Sequence, residues 1–436
     1  MTARRDDRRY TGLRWIALDC NDEQMTEDGM AAQRHVTMND VAKRAGVSLK
    51  TVSNVVNGYR FVRDATRRKV LDAIDELGYS VNVVAKSLRE GRSNVIGISL
   101  PDMRLPYFAE LYSCLAGEAR AAGRRVIFAP SGVSRTNELD VLHGSFASLI
   151  DGLILSPKYL TGGDADKLNV DYPIVLIGEQ MRTNARDRVI TENEHGIYRA
   201  TASLVAKGCR RIAVVGVGGK GVASEPMRLR GYRHALEDTG IALDTSLEIP
   251  ADIWYQPAGA DAVGVLFRDG LRVDGIVCMN DLLAMGVMQE LRRRGVLVPD
   301  DVKVVGYDDS IDAQYFAPSL SSVDPDLRSV ARTAIALLCA RIDGVDPSSI
   351  DALRSVIPSP NASSQTTVSS VAPSVTAASE SSESPAASRT GSYVVSRTGS
   401  SRSDAAANSG TPESVTGYVT VTVPSKLVER ESTAVR

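Results

Sequence analysis

The sequence predicts an α/β protein in which a small all-α module precedes a larger core of doubly wound sheets. Two observations support this prediction. Residues 36–80 carry helix caps and helical periodicity. From about residue 94 to residue 344, short Val- and Ile-rich runs alternate with amphipathic stretches, which is typical of parallel βα units. A chain of 436 residues has room for about two to three such domains.

The all-α module is basic, whereas the rest of the chain is acidic. Residues 35–94 hold 11 Lys and Arg against 6 Asp and Glu, a charge of +5. The whole chain carries −2, so the remainder carries −7. A compact basic module on an acidic body indicates a polyanionic partner, and the alternative is a solvated basic face.

The module begins with two short helices separated by a glycine turn. Thr37 and Asp40 have the spacing of a capping box, with Asp in place of the usual Glu or Gln. Gly46 ends the first helix, and Ser48 is a suitable N-cap for the second. This arrangement predicts a helix-turn-helix, whose second helix enters the major groove of DNA.

The second helix carries side chains that read base edges. Lysine can donate to guanine, asparagine can pair with adenine, and leucine can contact the thymine methyl group. We expect DNA contacts from Thr37, Ser48, Leu49, Lys50, Thr51, Ser53, Asn54 and Asn57. A third helix over Asp64–Leu77, ended by Gly78, would supply phosphate contacts from Arg67, Arg68 and Lys69.

A short hinge follows the module. Asn82–Glu90 has the length of a nine-residue helix ended by Gly91, and so short a helix is marginal alone in water. DNA and a symmetry mate could stabilise it, with Leu88 as an apolar wedge in the minor groove. The further expected DNA contacts are Asn82, Ala85, Lys86 and Leu88.

The core shows a regular alternation of strands and helices. The apolar runs are NVIGISL, RRVIFA, DGLIL, YPIVLIG, RRIAVVG, DGIVCMN and DVKVVGY. A helix is predicted over about residues 106–122, and others fall between most of the runs. Some 250 residues suffice for two lobes with sizeable cores.

A Ser/Thr-rich stretch interrupts the core near its end. Between Pro358 and Ser414, 24 of 57 residues are Ser or Thr, and SRTGS occurs twice. Such a composition buries too little apolar surface to fold, so disorder is expected. Strand-like alternation returns at Tyr418. The predicted organisation is a flexible extension (1–35), a helix-turn-helix domain (36–80), a hinge and linker (81–93), a two-lobed core (94–344 and 416–434) and a disordered insertion (345–415).

The composition excludes several classes of protein. No run of about 18 apolar residues could span a membrane, and the charged N-terminus lacks the apolar stretch of a signal peptide. The five cysteines never have CxxC spacing and the four histidines are isolated. We therefore expect reduced thiols in the cytoplasm, no metal site and no cofactor.

Longer motifs resemble the LacI/GalR (lactose repressor) family of transcription regulators. They are the helix-turn-helix, NVVAKSLREGRSN, IGISLPD, LPYFAEL, ENEHGIYRATASLVAKGCRRIAVVG, RLRGYRHAL, DGIVCMNDLLAMGVMQELRRRGVLVPDDVKVVGYDDS and PSLSSVDPD. The resemblance covers nearly the whole chain and makes the Ser/Thr-rich stretch an insertion before the last strand. It implies a periplasmic-binding-protein-like core with an effector between its lobes.

The resemblance also implies a function. We expect a cytoplasmic, nucleoid-associated homodimeric repressor of carbohydrate genes that binds a near-palindromic operator. A sugar or sugar phosphate is the expected effector, and a nucleobase corepressor is the alternative. Two positions depart from the family pattern: Val81 replaces the usual Pro before the hinge, and Glu192 replaces the usual Asp before Asn193.

Three residues are the main predicted effector contacts. Asp281 follows the run DGIVCMN, where a carboxylate at the end of a strand can bind sugar hydroxyls; its alternative role is an N-cap. Arg228 matches a ligand-binding arginine of the family, and its alternative is a solvated helix position. Trp254 matches a stacking aromatic residue, or else it packs at the lobe edge.

Other residues are weaker predictions for the same cleft. Tyr107 and Phe108 are expected either in the cleft wall or in the core. Asp308 is expected to be structural. The remaining predicted effector contacts are Asp102, Asn193 and Asn280.

Two other protein classes share features with this sequence. GVGGKG at residues 216–221 matches GxGxxG, as in a dehydrogenase, but that fingerprint opens a helix at once and here Pro226 intervenes. An exported sugar-binding protein would have a signal peptide and no DNA-binding module. The sequence therefore predicts that the protein is not an enzyme.

Overall fold

The structure is a computed structural model, and its described part has several gaps. The described residues are 36–56, 58–79, 92–132, 134–183, 185–219, 222–268, 272–347, 367–368, 394–398 and 418–435. The chain divides into two units, residues 1–86 and residues 87–436. The predicted extension and hinge helix lie outside the described residues.

The first unit contains three helices, α1 (Met38–Ala45), α2 (Leu49–Val56) and α3 (Asp64–Leu77). Helix α1 begins at the predicted capping box. The Asp40 amide donates to the Thr37 hydroxyl at 3.4 Å, and the Asp40 carboxylate accepts from the Thr37 amide at 2.9 Å.

Glycine ends two of these helices in the left-handed conformation that it adopts without strain. Gly46 has φ 65° and Gly78 has φ 60°. The apolar faces of the three helices then meet in one small core, formed by Val41, Ala42, Val52, Val55, Val70 and Ala73. The helices predicted for this unit are thus confirmed, including the bounds of α3.

The second unit contains two largely parallel sheets, each with helices packed against it. The first sheet and its helices form lobe 1, and its strands are β1 (Val95–Ser99), β2 (Arg125–Phe128), β3 (Gly152–Leu155), β4 (Ile174–Ile177), β5 (Asp187–Thr191), β11 (Thr367–Val368), β12 (Val394–Thr398) and β13 (Tyr418–Val423). The second sheet and its helices form lobe 2, and its strands are β6 (Ile212–Val217), β7 (Glu248–Pro250), β8 (Gly275–Cys278), β9 (Lys303–Tyr307), β10 (Ser321–Asp324) and β14 (Lys426–Val428). Within the described residues, the first sheet has the order β11-β12-β13-β5-β4-β3-β1-β2 and the second has the order β14-β10-β9-β8-β6-β7.

Helices cover the sheets of both lobes and bury their apolar faces. Lobe 1 has α4 (Pro106–Ala121), α5 (Arg135–His143) and α10 (Leu327–Ile342). Lobe 2 has α6 (Asn193–Ala206), α7 (Glu225–Asp238), α8 (Gln256–Arg268) and α9 (Asp281–Arg293). The two-lobed, doubly wound α/β core predicted from the sequence is confirmed.

The described chain passes between the lobes at three places: after β5, after β10 and between β13 and β14. The first and third crossings are joined by Glu192, whose carboxylate accepts from the Ser425 amide and from Arg199, both at 3.4 Å. Glu192, one of the departures from the family pattern, therefore lies at the joint between the lobes.

Part of the predicted disordered insertion forms strands. Strand β12 pairs antiparallel with β13, with Val394 opposite Thr422, and β11 pairs with β12. The prediction of disorder is wrong for β11 and β12, because the Val-rich segment can pair with the edge of the sheet. The rest of residues 348–417 lies outside the described residues, where disorder stays a prediction.

The two ends of the insertion are held together by a buried ion pair. Arg341, near the end of α10, donates to both carboxylate oxygens of Asp187 at 2.7 and 2.9 Å. The same carboxylate accepts from the Val419 amide, at the start of β13, at 2.9 Å. Buried bidentate pairs of this kind are geometrically specific. The residues on either side of the insertion are therefore bonded to the same residue of the core, Asp187.

Across the ranges that the structure describes, no helix is both long and apolar enough to cross a membrane.

Candidate functional site: the DNA-binding unit and the cleft between the lobes

Helix α2, which is predicted to contact DNA bases, has part of its predicted contact set at the surface. Leu49 and Lys50 are exposed in its first turn, whereas Thr51, Ser53 and Asn54 are half-buried. The Ser48 hydroxyl accepts from the Thr51 amide at 3.2 Å, which is the predicted N-cap bond. Thr37 is exposed but serves as the cap of α1.

Helix α3 places two of the predicted phosphate contacts at the surface. Arg68 and Lys69 are exposed, whereas Arg67 donates to the Tyr59 carbonyl at 2.7 Å and so also holds the preceding loop. That loop presents Phe61, which is 86% exposed and which the sequence analysis missed. The other predicted DNA contacts, Asn57, Asn82, Ala85, Lys86 and Leu88, lie outside the described residues.

Arg228 of helix α7 is the buried centre of the cleft. Its Nε donates to the Asn193 side-chain oxygen at 2.7 Å, and one Nη donates to the Met279 carbonyl. The Asp308 carboxylate lies 3.9 Å from the other Nη. Arg228 is 6% exposed, so the alternative of a solvated helix arginine is wrong.

Aromatic rings enclose the guanidinium. The Arg228 guanidinium carbon lies 3.5 Å from the ring centroid of Tyr307 and 5.4 Å from that of Trp254. The Trp254 indole donates to the Gly216 carbonyl at 2.9 Å and packs in the apolar core of lobe 2. Trp254 thus packs in lobe 2, as in the alternative given for it, and also borders the arginine; its role as an effector contact stays a prediction.

Two hydrogen bonds join the lobes across the cleft. The Asn193 amide, at the start of α6 in lobe 2, donates to Glu179 of lobe 1 at 2.7 Å. The Tyr255 hydroxyl of lobe 2 donates to Asp102 of lobe 1 at 3.0 Å. Asn193 and Asp102 therefore lie where the two lobes meet, and their roles as effector contacts stay predictions.

Asp281 is buried within a network of serine donors. It accepts from the Ser310 amide at 2.7 Å, the Ser310 hydroxyl at 3.0 Å and the Ser322 hydroxyl at 2.6 Å. The N-cap of α9 is Asn280, which accepts from the Leu283 amide at 2.9 Å, so the N-cap alternative for Asp281 is wrong. Asn280 also donates to the Trp254 carbonyl at 3.1 Å, so the nitrogen and the oxygen of its side chain each have a partner within the protein.

Burial changes the ionisation of the cleft carboxyl groups. It raises the pKa of Asp281 to about 7 and that of Asp308 to about 8, although Arg228 opposes the shift at Asp308. Burial also raises the pKa of Glu179. Asp308 has φ 109°, a strained backbone conformation that sets its side chain near Arg228. Near neutral pH, protonated carboxyl groups can donate as well as accept hydrogen bonds.

Tyr107 is the contribution of helix α4 to the cleft. Its pKa is raised by burial and by the nearby charges of Glu179 and Asp308, so the phenol stays neutral and can donate a hydrogen bond. Phe108 contacts Tyr107 edge to face at 5.0 Å, and both residues pack against the apolar core of lobe 1. Tyr107 also lies near the charged groups of Glu179 and Asp308. The roles of Tyr107 and Phe108 as effector contacts stay predictions.

Sequence reasoning missed three members of the cleft. Glu179 follows the apolar run IVLIG and Tyr307 ends the run VVGY, so a search for polar and aromatic residues at strand ends would have found them. Tyr255 follows Trp254 directly and carried no separate signal. Asp308, predicted to be structural, pairs with Arg228 and belongs to the cleft.

Among the described residues between β6 and α7, none is helical. Helix α7 starts only at Glu225, whose carboxylate accepts from the Gly218 amide at 3.2 Å. An acceptor at this amide is opposite to what a phosphate-binding loop presents. The described part of the chain holds no cluster of three His, Cys, Asp or Glu side chains suited to a metal ion.

The chain matches known proteins over both of its units. Residues 37–82 match the family of bacterial regulatory proteins, lacI family, and residues 201–358 match the periplasmic binding protein-like domain. The HTH-type transcriptional regulator AscG of Escherichia coli is 32% identical over 71% of this chain and 93% of its own length.

Solved structures show the same fold. The lac repressor dimer bound to operator and the anti-inducer ONPF has a TM-score of 0.63 at 27% identity, covering 71% of this chain and 94% of its own. The transcriptional regulator CelR in complex with cellobiose has a TM-score of 0.52 at 29% identity, with the same two coverages. These relatives are transcription regulators and not enzymes, as the sequence predicts for this chain. The chain belongs to the LacI family of bacterial regulatory proteins.

Proposed function

We propose that this regulator is a dimeric repressor whose effector is a neutral sugar bound between the two lobes. The observation that carries the proposal is the buried group of Arg228, Asn193, Asp308 and Glu179, drawn from both lobes. A ligand that bridges this group would hold the lobes together and change the geometry of the DNA-binding state.

The chemistry of the cleft favours hydroxyl groups over phosphate. A sugar hydroxyl both donates and accepts, so it suits a site that mixes amide, guanidinium and carboxyl groups. A phosphate needs cationic or N–H donors, and the Arg228 guanidinium is already bonded to protein acceptors. Burial raises the pKa of Glu179 and of Asp308, so these carboxyl groups suit neutral hydroxyl partners.

A nucleobase corepressor is the second candidate, supported by the aromatic residues of the cleft. A flat base binds best between two free ring faces. The Tyr307 face is covered by the Arg228 guanidinium at 3.5 Å, and Trp254 is held by its bond to Gly216. The sugar is therefore the better supported ligand. CelR, whose structure contains cellobiose, is a precedent for a sugar in this family.

The basic first unit supports operator binding by two copies of the chain. Lys50 on α2 is exposed and can reach base edges, while Arg68 and Lys69 on α3 can reach phosphates. The lac repressor structure is a dimer on its operator. We place the regulator in the cytoplasm at the nucleoid, and its expected targets are genes for carbohydrate use.

The experiment is a selection of genomic fragments by the purified full chain at physiological salt. A near-palindrome of about 14–20 base pairs should be enriched, because two recognition helices sit about one helical turn apart. Binding of that fragment is then titrated with neutral sugars, their phosphates and nucleobases. The Arg228→Ala variant should lose the response, whereas Arg230→Ala, on the exposed face of the same helix, should keep it.

A further inference from the structure

We propose that lobe 1 contains a linker clamp, formed by Arg124, Asp151 and Asp343, that fixes the direction in which the chain leaves the core toward the DNA-binding unit. The clamp would act as a positioning device for operator binding, because it holds the first described residues of the core, Arg92–Asn94. This inference rests on the proposed function, since it concerns an operator with two half-sites.

Asp151 holds the linker through its backbone. Its carboxylate accepts from the Ser93 amide at 2.7 Å, the Ser93 hydroxyl at 2.8 Å and the Asn94 amide at 2.7 Å. Its side chain is 11% exposed, so these charge-assisted bonds are shielded from water. Two consecutive backbone N–H groups on one carboxylate leave this segment little rotational freedom.

Asn94 forms the turn at the start of the core. It has φ 53°, a left-handed conformation that asparagine adopts more readily than most residues with a side chain. The Arg124 guanidinium, 9% exposed, donates to the Asn94 side chain at 3.1 Å and lies 3.9 Å from Asp151. The residue type and the bond from Arg124 therefore both favour this turn.

Asp343 ties the linker to the end of helix α10. Its carboxylate accepts from both Arg92 and Arg124 at 2.9 Å. Arg92 also donates to the Ile342 carbonyl at 3.2 Å, where the helix C-terminus favours a cation. The linker is thus bonded to the last turn of α10 as well as to Asp151.

Helix α10 connects the clamp to the joint between the lobes. Its first residue, Leu327, comes directly after the crossing that follows β10, and its 16 residues span about 24 Å. The clamp lies at the amino ends of β1 and β3, whereas the effector cleft lies at the carboxyl ends of the strands. A rotation of one lobe against the other would therefore shift the linker, because helix α10 is rigid and is bonded to the linker at its end.

The test measures spacing between half-sites rather than affinity alone. The binding of the full chain is measured to two DNA fragments. One is the fragment that the wild type enriches, and the other is the same fragment with one base pair inserted at its centre. We expect the wild type to bind the lengthened fragment at least about tenfold more weakly, since one base pair moves and rotates the second half-site. The spacing ratio is the dissociation constant of the lengthened fragment divided by that of the original fragment. Asp151→Ala should reduce the spacing ratio to about twofold.

Two measurements separate positioning from folding. Hydrogen exchange at the Ser93 and Asn94 amides should be slow in the wild type and fast in Asp151→Ala, with little change in the amides of β6 in lobe 2. Asp346→Ala, which removes an ion-pair partner of Arg341, should leave the spacing ratio unchanged. If Asp151→Ala does not fold, Arg92→Ala removes an exposed member and should still lower the ratio.

The outcomes are distinct. An unchanged spacing ratio in Asp151→Ala, despite fast exchange at Ser93 and Asn94, overturns the proposal, as does an unchanged ratio in Arg92→Ala. Equal losses of binding to both fragments also overturn it, because they indicate general instability. A wild type that enriches no fragment contradicts the proposed function itself, and the clamp proposal falls with it.

Discussion

The hydroxyl of Tyr255 in lobe 2 donates a 3.0 Å hydrogen bond to the carboxylate of Asp102 in lobe 1. Asp102 is held in place by Arg104, which donates to both of its carboxylate oxygens at 3.0 and 2.9 Å and lowers the pKa of Asp102 to about 2. The acceptor is therefore charged at neutral pH. This bond must break when the lobes separate.

Removing the hydroxyl should favour separated lobes. Tyr255→Phe loses one hydrogen bond, which contributes about 0.5–1.5 kcal/mol and changes the ratio of open to closed molecules by roughly two- to tenfold. Distances between spin labels on the two lobes should lengthen. Tyr315→Phe, whose ring is 78% exposed in the same lobe, is the control. An unchanged distance distribution in Tyr255→Phe would contradict the role given to this bond.

Arg228→Ala should destabilise the core. The substitution leaves the Asn193 oxygen and the Met279 carbonyl without their donors in a buried site. We expect a loss of about 2–4 kcal/mol in the free energy of unfolding, measured by chemical denaturation. Arg230→Ala, an exposed ion pair on the same helix, should cost less than about 1 kcal/mol. Equal costs for the two variants would argue against a buried centre at Arg228.

Asp308 should make stability depend on pH. Its pKa is raised from 3.8 to about 8, so between these values the folded state holds a proton that the unfolded state has lost. The free energy of unfolding should therefore fall as the pH rises from about 4 to about 8. Asp308→Asn should flatten this slope, while Asp261→Asn at an exposed position should not. Identical slopes in wild type and Asp308→Asn would show that Asp308 is ionised throughout.

The two kinds of DNA contact should respond differently to substitution. Lys50→Ala, at the exposed start of α2, should change base preference at one position of the half-site by about 1–3 kcal/mol. Arg68→Ala should weaken binding to all DNA sequences alike. It should also reduce the slope of the logarithm of the binding constant against the logarithm of the salt concentration by about one. Arg67 is a poorer choice, because its guanidinium also bonds to the Tyr59 carbonyl. A uniform effect of Lys50→Ala would remove it from the base-reading set.

Local signals made the first unit predictable. The capping box of Thr37 and Asp40 and the left-handed Gly78 act within a few residues, so the sequence shows where these helices begin and end. Strands of the core were equally visible as apolar runs. Strand β12 was not, because its order depends on the edge of β13, which lies more than 20 residues further along the chain.

The cleft was predictable only in part. Arg228 and Asp281 matched family motifs, but their partners come from distant parts of the chain. Asp102 and Tyr255 are 153 residues apart, and nothing local to either residue indicates that they meet. The same cause applies to Asp281, whose donors Ser310 and Ser322 lie 29 and 41 residues further along the chain.

The most direct test of the account is the operator affinity of the full chain with and without each member of a panel of neutral sugars, their phosphates and nucleobases. The account predicts that at least one neutral sugar changes the dissociation constant of the wild type by about fivefold or more. Its phosphate should be weaker, and Arg228→Ala should not respond. A response to phosphorylated sugars or nucleobases alone, or a full response in Arg228→Ala, would contradict a neutral sugar bound at the cleft.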